Sequence, residues 1–268
     1  MNVYIRFVLC LFILLFSVSA ALAAVVGHQV EYRVDNSVFK GYLAEDTALK
    51  EKRPAVLVVH EWWGNNEYAR KRAMMLAELG YIALAVDMYG EGKIAQHPDD
   101  ALRFSREVMK DKRLGEERFN AALAFVKQQP LVDSGRIAAI GYCFGGAVVL
   151  HMARSGSDLK GVASFHGTLA TDSPALPGEV TANILVLNGE KDTLVPPRQV
   201  QDFLDEMTLS GAPFRYVGYL GAKHGFTNPD ADNYAKIYGL PLAYDKRADQ
   251  NSWTELQRFL HEIFRQAR

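Results

Sequence analysis

Gly141-Tyr142-Cys143-Phe144-Gly145-Gly146 is the stretch on which the reading of the chain turns. The run before it, Arg136-Ile-Ala-Ala-Ile140, is apolar and favours a strand. The run after it, Gly146 to Arg154, is small, apolar and competent for helix. Strand, sharp turn and helix together make the setting of a nucleophile elbow, whose usual form is Gly-x-Ser-x-Gly. Glycines suit a turn with no room for a Cβ. Cysteine stands here at the nucleophile position. The first amides of the following helix would point at a developing oxyanion, and the positive helix end favours it. The same six residues also suit a buried, inert cysteine in a glycine-rich loop. The rest of the chain weighs between the two.

Outward from the elbow, buried strands alternate with helices. Pro54–Val59, Tyr81–Val86, Gly161–Phe165 and Asn183–Leu187 are nearly continuous apolar runs, the mark of strands covered on both faces. Helices are expected over Asn66–Leu79, about Asp99–Lys110, Leu114–Gln128 and Pro197–Leu209. Phe214–Tyr219 alternates as a last strand, and Trp253, Leu256, Leu260 and Ile263 share one face of a C-terminal helix. Near the start, His28–Val34 and Ser37–Leu43 alternate around Asp35-Asn36, as an antiparallel hairpin does. The pattern predicts an α/β fold: a mostly parallel, doubly wound sheet with an N-terminal antiparallel hairpin and helices on both faces. One domain is expected, from about Ala24 to Arg268, with no linker and no repeat.

Sites in open α/β sheets form outside the carboxyl ends of strands. Glu61, Asp87, Cys143, His166, Asp192 and His224 all lie at such ends. A thiol nucleophile needs a base, and the base needs an orienting partner. Cys143, Asp192 and His224 keep the chain order nucleophile, acid, histidine that follows an elbow. Taken singly, Asp192 is also an ordinary turn carboxylate and His224 an ordinary loop histidine. His166, which also follows a strand, is the rival base, or else lines the pocket or packs beneath it. The seven histidines and two cysteines show no metal-ligand spacing, so neither a metal nor another cofactor is expected.

A net charge of -1 with 23% charged residues gives no reason to expect nucleic acid as a partner. The first residues differ in kind. One positive charge precedes the apolar run Phe7–Phe16, and small residues end in Ala21-Leu22-Ala23. This is the pattern of a secretory signal peptide, with cleavage after Ala23 or, second, after Ala20. It implies a periplasmic or secreted protein without a stable membrane anchor once the leader is removed. Cys10 would leave with the leader, and Cys143 would remain as the lone thiol of the mature chain. A monomer is expected.

The quoted residues together resemble the dienelactone hydrolase family of α/β-hydrolases. The resemblance rests on His60-Glu61-Trp62-Trp63-Gly64, Asp87-Met-Tyr-Gly90, the cysteine elbow, Gly189-Glu-Lys-Asp192 and Lys223-His224-Gly225-Phe226, and it spans nearly the whole mature chain. It implies the α/β-hydrolase fold and hydrolysis of a small ester or lactone through an acyl-cysteine intermediate. By resemblance Cys143 is the nucleophile, His224 the base and Asp192 its orienter. Glu61 matches a further glutamate that takes the thiol proton when substrate binds. The amides of Trp62 and Phe144 match the oxyanion-hole donors. Trp63, Tyr89, Lys93, His166 and Phe226 are expected to line the substrate pocket.

The chain also departs from the family. Its dienelactone-cleaving members hold the substrate carboxylate with two arginines, the second of which also restrains the glutamate. The matching regions here read Tyr89-Gly-Glu-Gly-Lys93 and Gly225-Phe-Thr-Asn228, without arginine. Lys93 offers charge but not a bidentate fork, and no residue of the sequence announces itself as the holder of Glu61. Two other readings remain beside cleavage of lactones or other small esters: a hydrolase fold that binds without turnover, and a redox-sensing thiol, which would need a partner's cysteine.

Overall fold

The computed structural model describes residues 25–265; the leader expected at residues 1–23 lies outside them. Eight strands form one sheet. The hairpin is β1 (Val25–Val34) and β2 (Ser37–Asp46), and the remaining strands are β3 (Arg53–Val59), β4 (Ile82–Val86), β5 (Val132–Tyr142), β6 (Gly161–Phe165), β7 (Asn183–Gly189) and β8 (Phe214–Tyr219). Their order in space is β1-β2-β4-β3-β5-β6-β7-β8. β1 and β2 pair antiparallel, as do β2 and β4, and every later pairing is parallel. This is the expected architecture.

The helices are α1 (Glu67–Glu78), α2 (Pro98–Lys110), α3 (Lys112–Lys127), α4 (Phe144–Arg154), α5 (Pro197–Ser210), α6 (Ala231–Tyr238) and α7 (Lys246–Arg265). Successive strand residues face opposite sides. Leu57 and Val59 of β3 therefore join a core with Phe119 of α3, Val149 of α4 and Phe203 of α5. Val56 and Val58 face the other way, onto Ala69 and Leu76 of α1 and Leu256 and Leu260 of α7. Both faces are covered, which is why the central strands read as unbroken apolar runs.

Chain reversal at the centre of the sheet sets the place for a site. From β3 the chain crosses through α1 to β4 on one side, then through α2 and α3 to β5 on the other. The crevice that this reversal opens lies beyond the carboxyl ends of β3 and β5. Those ends carry Glu61 and Cys143. The pattern of the sequence gives no sign of α6. It has eight residues and no side-chain cap, and it is held by tertiary contacts, with Tyr234 stacked on Trp63 at 4.3 Å between ring centres.

Candidate active site

Cys143 is the residue at which β5 turns into α4, with φ 52° and ψ -114°. Few residues other than glycine accept a positive φ, and such strain gathers at functional positions. The turn closes so tightly that a Cβ on Gly141 would run into the carbonyl of Gly145, and one on Gly145 into the carbonyl of Val59. The glycines of the motif are thus demanded by close backbone approach. Cys143 is half-buried, and its amide donates to the Phe165 carbonyl at 3.0 Å. Phe144, the first residue of α4, has an N–H with no earlier helical carbonyl to reach.

His224 lies beyond β8, and Asp192 beyond β7. Nδ1 of His224 donates to Asp192 Oδ2 at 2.8 Å, with both side chains buried. The other carboxylate oxygen, Oδ1, accepts from the Leu194 amide at 2.8 Å, so the acid is fixed as well. This bond leaves Nε2 of His224 as the open nitrogen, buried and without a hydrogen-bond partner among the described residues. Burial alone lowers the affinity of His224 for a proton. Negative charge at Cys143 and at Asp192 outweighs it, and the pKa is raised above the ordinary imidazole value.

The loop after β3 is pinned carbonyl by carbonyl. Glu61 O accepts from His60 Nδ1 at 2.5 Å and from the Gly64 amide at 3.1 Å. Trp62 O accepts from the Tyr89 hydroxyl at 2.9 Å, and Trp63 O from the Ala95 amide at 2.9 Å. A peptide unit is planar, so fixing the Glu61 carbonyl fixes the opposite direction of the Trp62 N–H. His60 holds one tautomer, because its Nε2 accepts from the Met88 amide at 3.2 Å while Nδ1 donates. Burial lowers its pKa to about 4, so the ring is neutral at ordinary pH.

Glu61 is buried, with Oε2 accepting from Asn228 Nδ2 at 2.6 Å. Burial raises its carboxyl to about 7, against the Asn228 hydrogen bond and the positive charges of His224 and Arg72. Asn228 stands in the region where the resemblance implies an arginine, and it makes the contact to the glutamate in that arginine's place. Sequence reading misses it as a partner, since 167 residues separate the two in the chain.

A cleft of about 220 Å³ opens at Cys143, lined by Trp62, Phe144, Ala147, Leu194, Val195 and His224 together with Ser105, Met109 and Thr168. Ser105 and Met109 come from α2, and no sequence motif marks them. The five side chains expected to line the pocket lie elsewhere. Tyr89 is buried under the loop whose Trp62 carbonyl it holds. Trp63 packs against α6. Lys93 is exposed, 4.0 Å from Glu91. Phe226 is fully buried against Tyr219 and His166. His166 is fully buried too, with its ring edge-on to His224 at 5.2 Å. The correction has one cause: strand ends carry packing residues as well as chemistry, and spacing does not separate them.

Behind the cleft, Thr227 Oγ1 meets His166 Nε2 at 2.7 Å and the Tyr68 hydroxyl at 2.6 Å. The buried Arg72 of α1 donates from Nη2 to the Thr227 carbonyl at 2.7 Å and to Asp249 of α7 at 2.5 Å. Among the described residues, no group of three His, Cys, Asp or Glu is placed to hold a metal ion. No helix among them is long and apolar enough to cross a membrane.

The dienelactone hydrolase family model matches residues 39–264. A putative carboxymethylenebutenolidase of Aquifex aeolicus is 29% identical over 76% of this chain and 88% of its own. Protein usf of Aquifex pyrophilus is 26% identical over 88% of this chain and 99% of its own. Among solved structures, a dienelactone hydrolase-like promiscuous phosphotriesterase from metagenomic libraries superposes with a TM-score of 0.83 and 32% identity, over 90% of this chain and 99% of that one.

Proposed function

The chain belongs to the dienelactone hydrolase family and is a hydrolase of that kind; from that premise we propose that it cleaves carboxylic esters or lactones through an acyl-cysteine intermediate. The observation that carries this reading is the open Nε2 of His224, oriented by Asp192 and lining one cleft with a strained Cys143. In the first half-reaction His224 takes the thiol proton, and Sγ attacks the carbonyl carbon. The resulting oxyanion meets the amides of Phe144 and Trp62, preorganised as donors. The tetrahedral intermediate collapses, the carbon–oxygen bond breaks, and His224 returns its proton to the leaving alkoxide. In the second half-reaction His224 takes a proton from water, hydroxide attacks the thioester, and acid and free thiol are released.

Glu61 offers a second proton acceptor, since its carboxyl titrates near neutrality, and Asn228 restrains it. Without an arginine at the two positions considered above, the reading favours neutral esters and lactones over a dienelactone carboxylate. Export rests on the leader pattern of Met1–Ala23. N-terminal sequencing of protein from the periplasm and the medium checks it, and a chain that still begins at Met1 would refute it.

The test is hydrolysis of a panel by the protein and its Cys143→Ala variant: p-nitrophenyl acetate and butyrate, a neutral lactone, a dienelactone, and a neutral phosphotriester of the kind suggested by the promiscuous relative. The expected result is turnover of the neutral esters, slower turnover of the dienelactone, and loss of all activity in Cys143→Ala. Activity that survives in the variant would sink the mechanism.

A further inference from the structure

A second and larger cavity, of about 370 Å³, lies beside the cleft. Val108, Met109, Ala147, Val148, Met152 and Ala170 make much of its wall. Met109 and Ala147 line both spaces, so the two share a partition. The cleft alone, at about 220 Å³, is smaller than the roughly 300–1,000 Å³ typical of ligand pockets, and the two together fall within that range.

The chemistry of the wall narrows the occupant. Its basic side chains are already engaged. Lys112 pairs with Asp172 and with Ser173 Oγ at 2.7 Å. His151 Nε2 lies 2.8 Å from Glu116. Arg154 makes two contacts of 2.8 Å to Glu206 and a third, of 3.0 Å, to the Leu169 carbonyl. A carboxylate entering here would find these cations spoken for and a surface of aliphatic and thioether groups. A neutral hydrocarbon would lose only water.

The geometry also picks an end of the substrate. A leaving oxygen must sit at His224 to be protonated, so the acyl substituent extends away from it. His224, Leu194 and Val195 line the cleft but not the second cavity, whereas Ala147, one helical turn after Cys143, lines both. We propose that the second cavity is an acyl-chain subsite, and that the substrates are neutral esters with a medium-length aliphatic acyl group. This rests on reading Cys143 as the ester-cleaving nucleophile. Met109, a flexible thioether that adapts to irregular space, forms the movable part of the partition.

Each methylene taken out of water strengthens binding by about fourfold at most. Four more methylenes set a ceiling of about 250-fold on the gain, and a rise in kcat/KM of about tenfold or more is expected for p-nitrophenyl octanoate over butyrate. Ala170→Trp, at an exposed loop position of the second cavity outside the cleft, fills the space and should return the octanoate-to-butyrate ratio to near one. Thr171→Trp serves as a second plug if circular dichroism shows Ala170→Trp misfolded. A ratio unchanged in a folded plugged variant overturns the subsite while leaving ester hydrolysis by Cys143 intact. Ester hydrolysis that survives Cys143→Ala overturns the catalytic reading instead. Should the protein turn over no ester, equilibrium dialysis with 4-nitrophenyl octyl ether decides. Saturable binding that the plug weakens about tenfold upholds the cavity as a site for an apolar chain, and binding equal in both proteins, or absent from both, overturns it.

Discussion

His166 and His224 follow neighbouring parts of the same sheet edge, are both buried, and touch ring to ring, yet their proton affinities move in opposite directions. Burial pushes His166 well below the ordinary value, helped by the positive charges of His224 and Arg72. Burial acts on His224 in the same sense, but charge at Cys143 and Asp192 reverses the sign. What separates the two rings is the charge at Cys143 and the carboxylate 2.8 Å from Nδ1 of His224. His166 has a hydroxyl, Thr227 Oγ1, instead. A hydroxyl can satisfy a ring nitrogen without stabilising a positive ring. In this molecule the two buried histidines are told apart by their partners and not by their exposure.

The sharpest way to break that contrast is Asp192→Asn. His224 would lose the carboxylate that orients it and part of the charge that raises it, while Cys143, the larger source of that rise, stays in place. A fall in kcat/KM of about 10³–10⁴ is expected for p-nitrophenyl butyrate, and NMR titration should find the His224 pKa lowered from that of the parent. A fall of less than about tenfold would mean that another group orients the base.

Glu61 sharpens the comparison from the acidic side. Its one hydrogen bond and two nearby cations do not overcome burial, and its carboxyl sits at about 7 against an ordinary 4.5. A raised carboxyl binds its proton more tightly in the folded state than in the unfolded one. Its contribution is therefore whole below about pH 4.5 and is lost as pH rises through about 7. The shift corresponds to about 3 kcal/mol. Urea denaturation of Glu61→Gln should show a stability profile flatter than that of the parent across this window, by an amount of that order. Parallel profiles would mean that Glu61 is not proton-linked to folding.

Smaller effects are expected at the partners. His166→Phe should cost about 1–3 kcal/mol of stability by leaving the Thr227 hydroxyl short of a partner, with kcat/KM changed by less than about tenfold. A loss as deep as that of Asp192→Asn would restore His166 as the base. Asn228→Ala removes the hydrogen bond that lowers Glu61. The step near neutrality in the pH dependence of kcat/KM should move upward by about one unit or less. A downward move would refute the restraint ascribed to Asn228.

The sequence carried the frame of this site because the frame is written locally. The continuous apolar strands, the glycines around Cys143 and the order Cys143, Asp192, His224 each depend on neighbours along the chain. Apolar and small residues can be read that way, since burial on both faces of a sheet leaves no room for polar alternation. The pocket wall is not local. Ser105 and Met109 arrive from α2, Asn228 reaches Glu61 across the sheet edge, and Trp63 turns away to meet α6. Each of these is decided by where separate elements pack. The five side chains expected to line the pocket show the cost of extending a local reading one step too far: Tyr89 and His166 do serve the site, from beneath it.

Arg72 gives the C-terminal helix an importance that its distance in sequence from the elbow does not suggest. By gripping Asp249 on one side and the Thr227 carbonyl on the other, it ties residues 246–265 to the loop that carries His224 and Asn228. For anyone engineering this protein, that helix is no dispensable tail. Shortening it to aid crystallisation, or replacing Asp249 in a surface-charge redesign, would slacken the histidine loop from behind and register as poor turnover. A fusion partner is better joined beyond Arg265, where the helical grip is already complete.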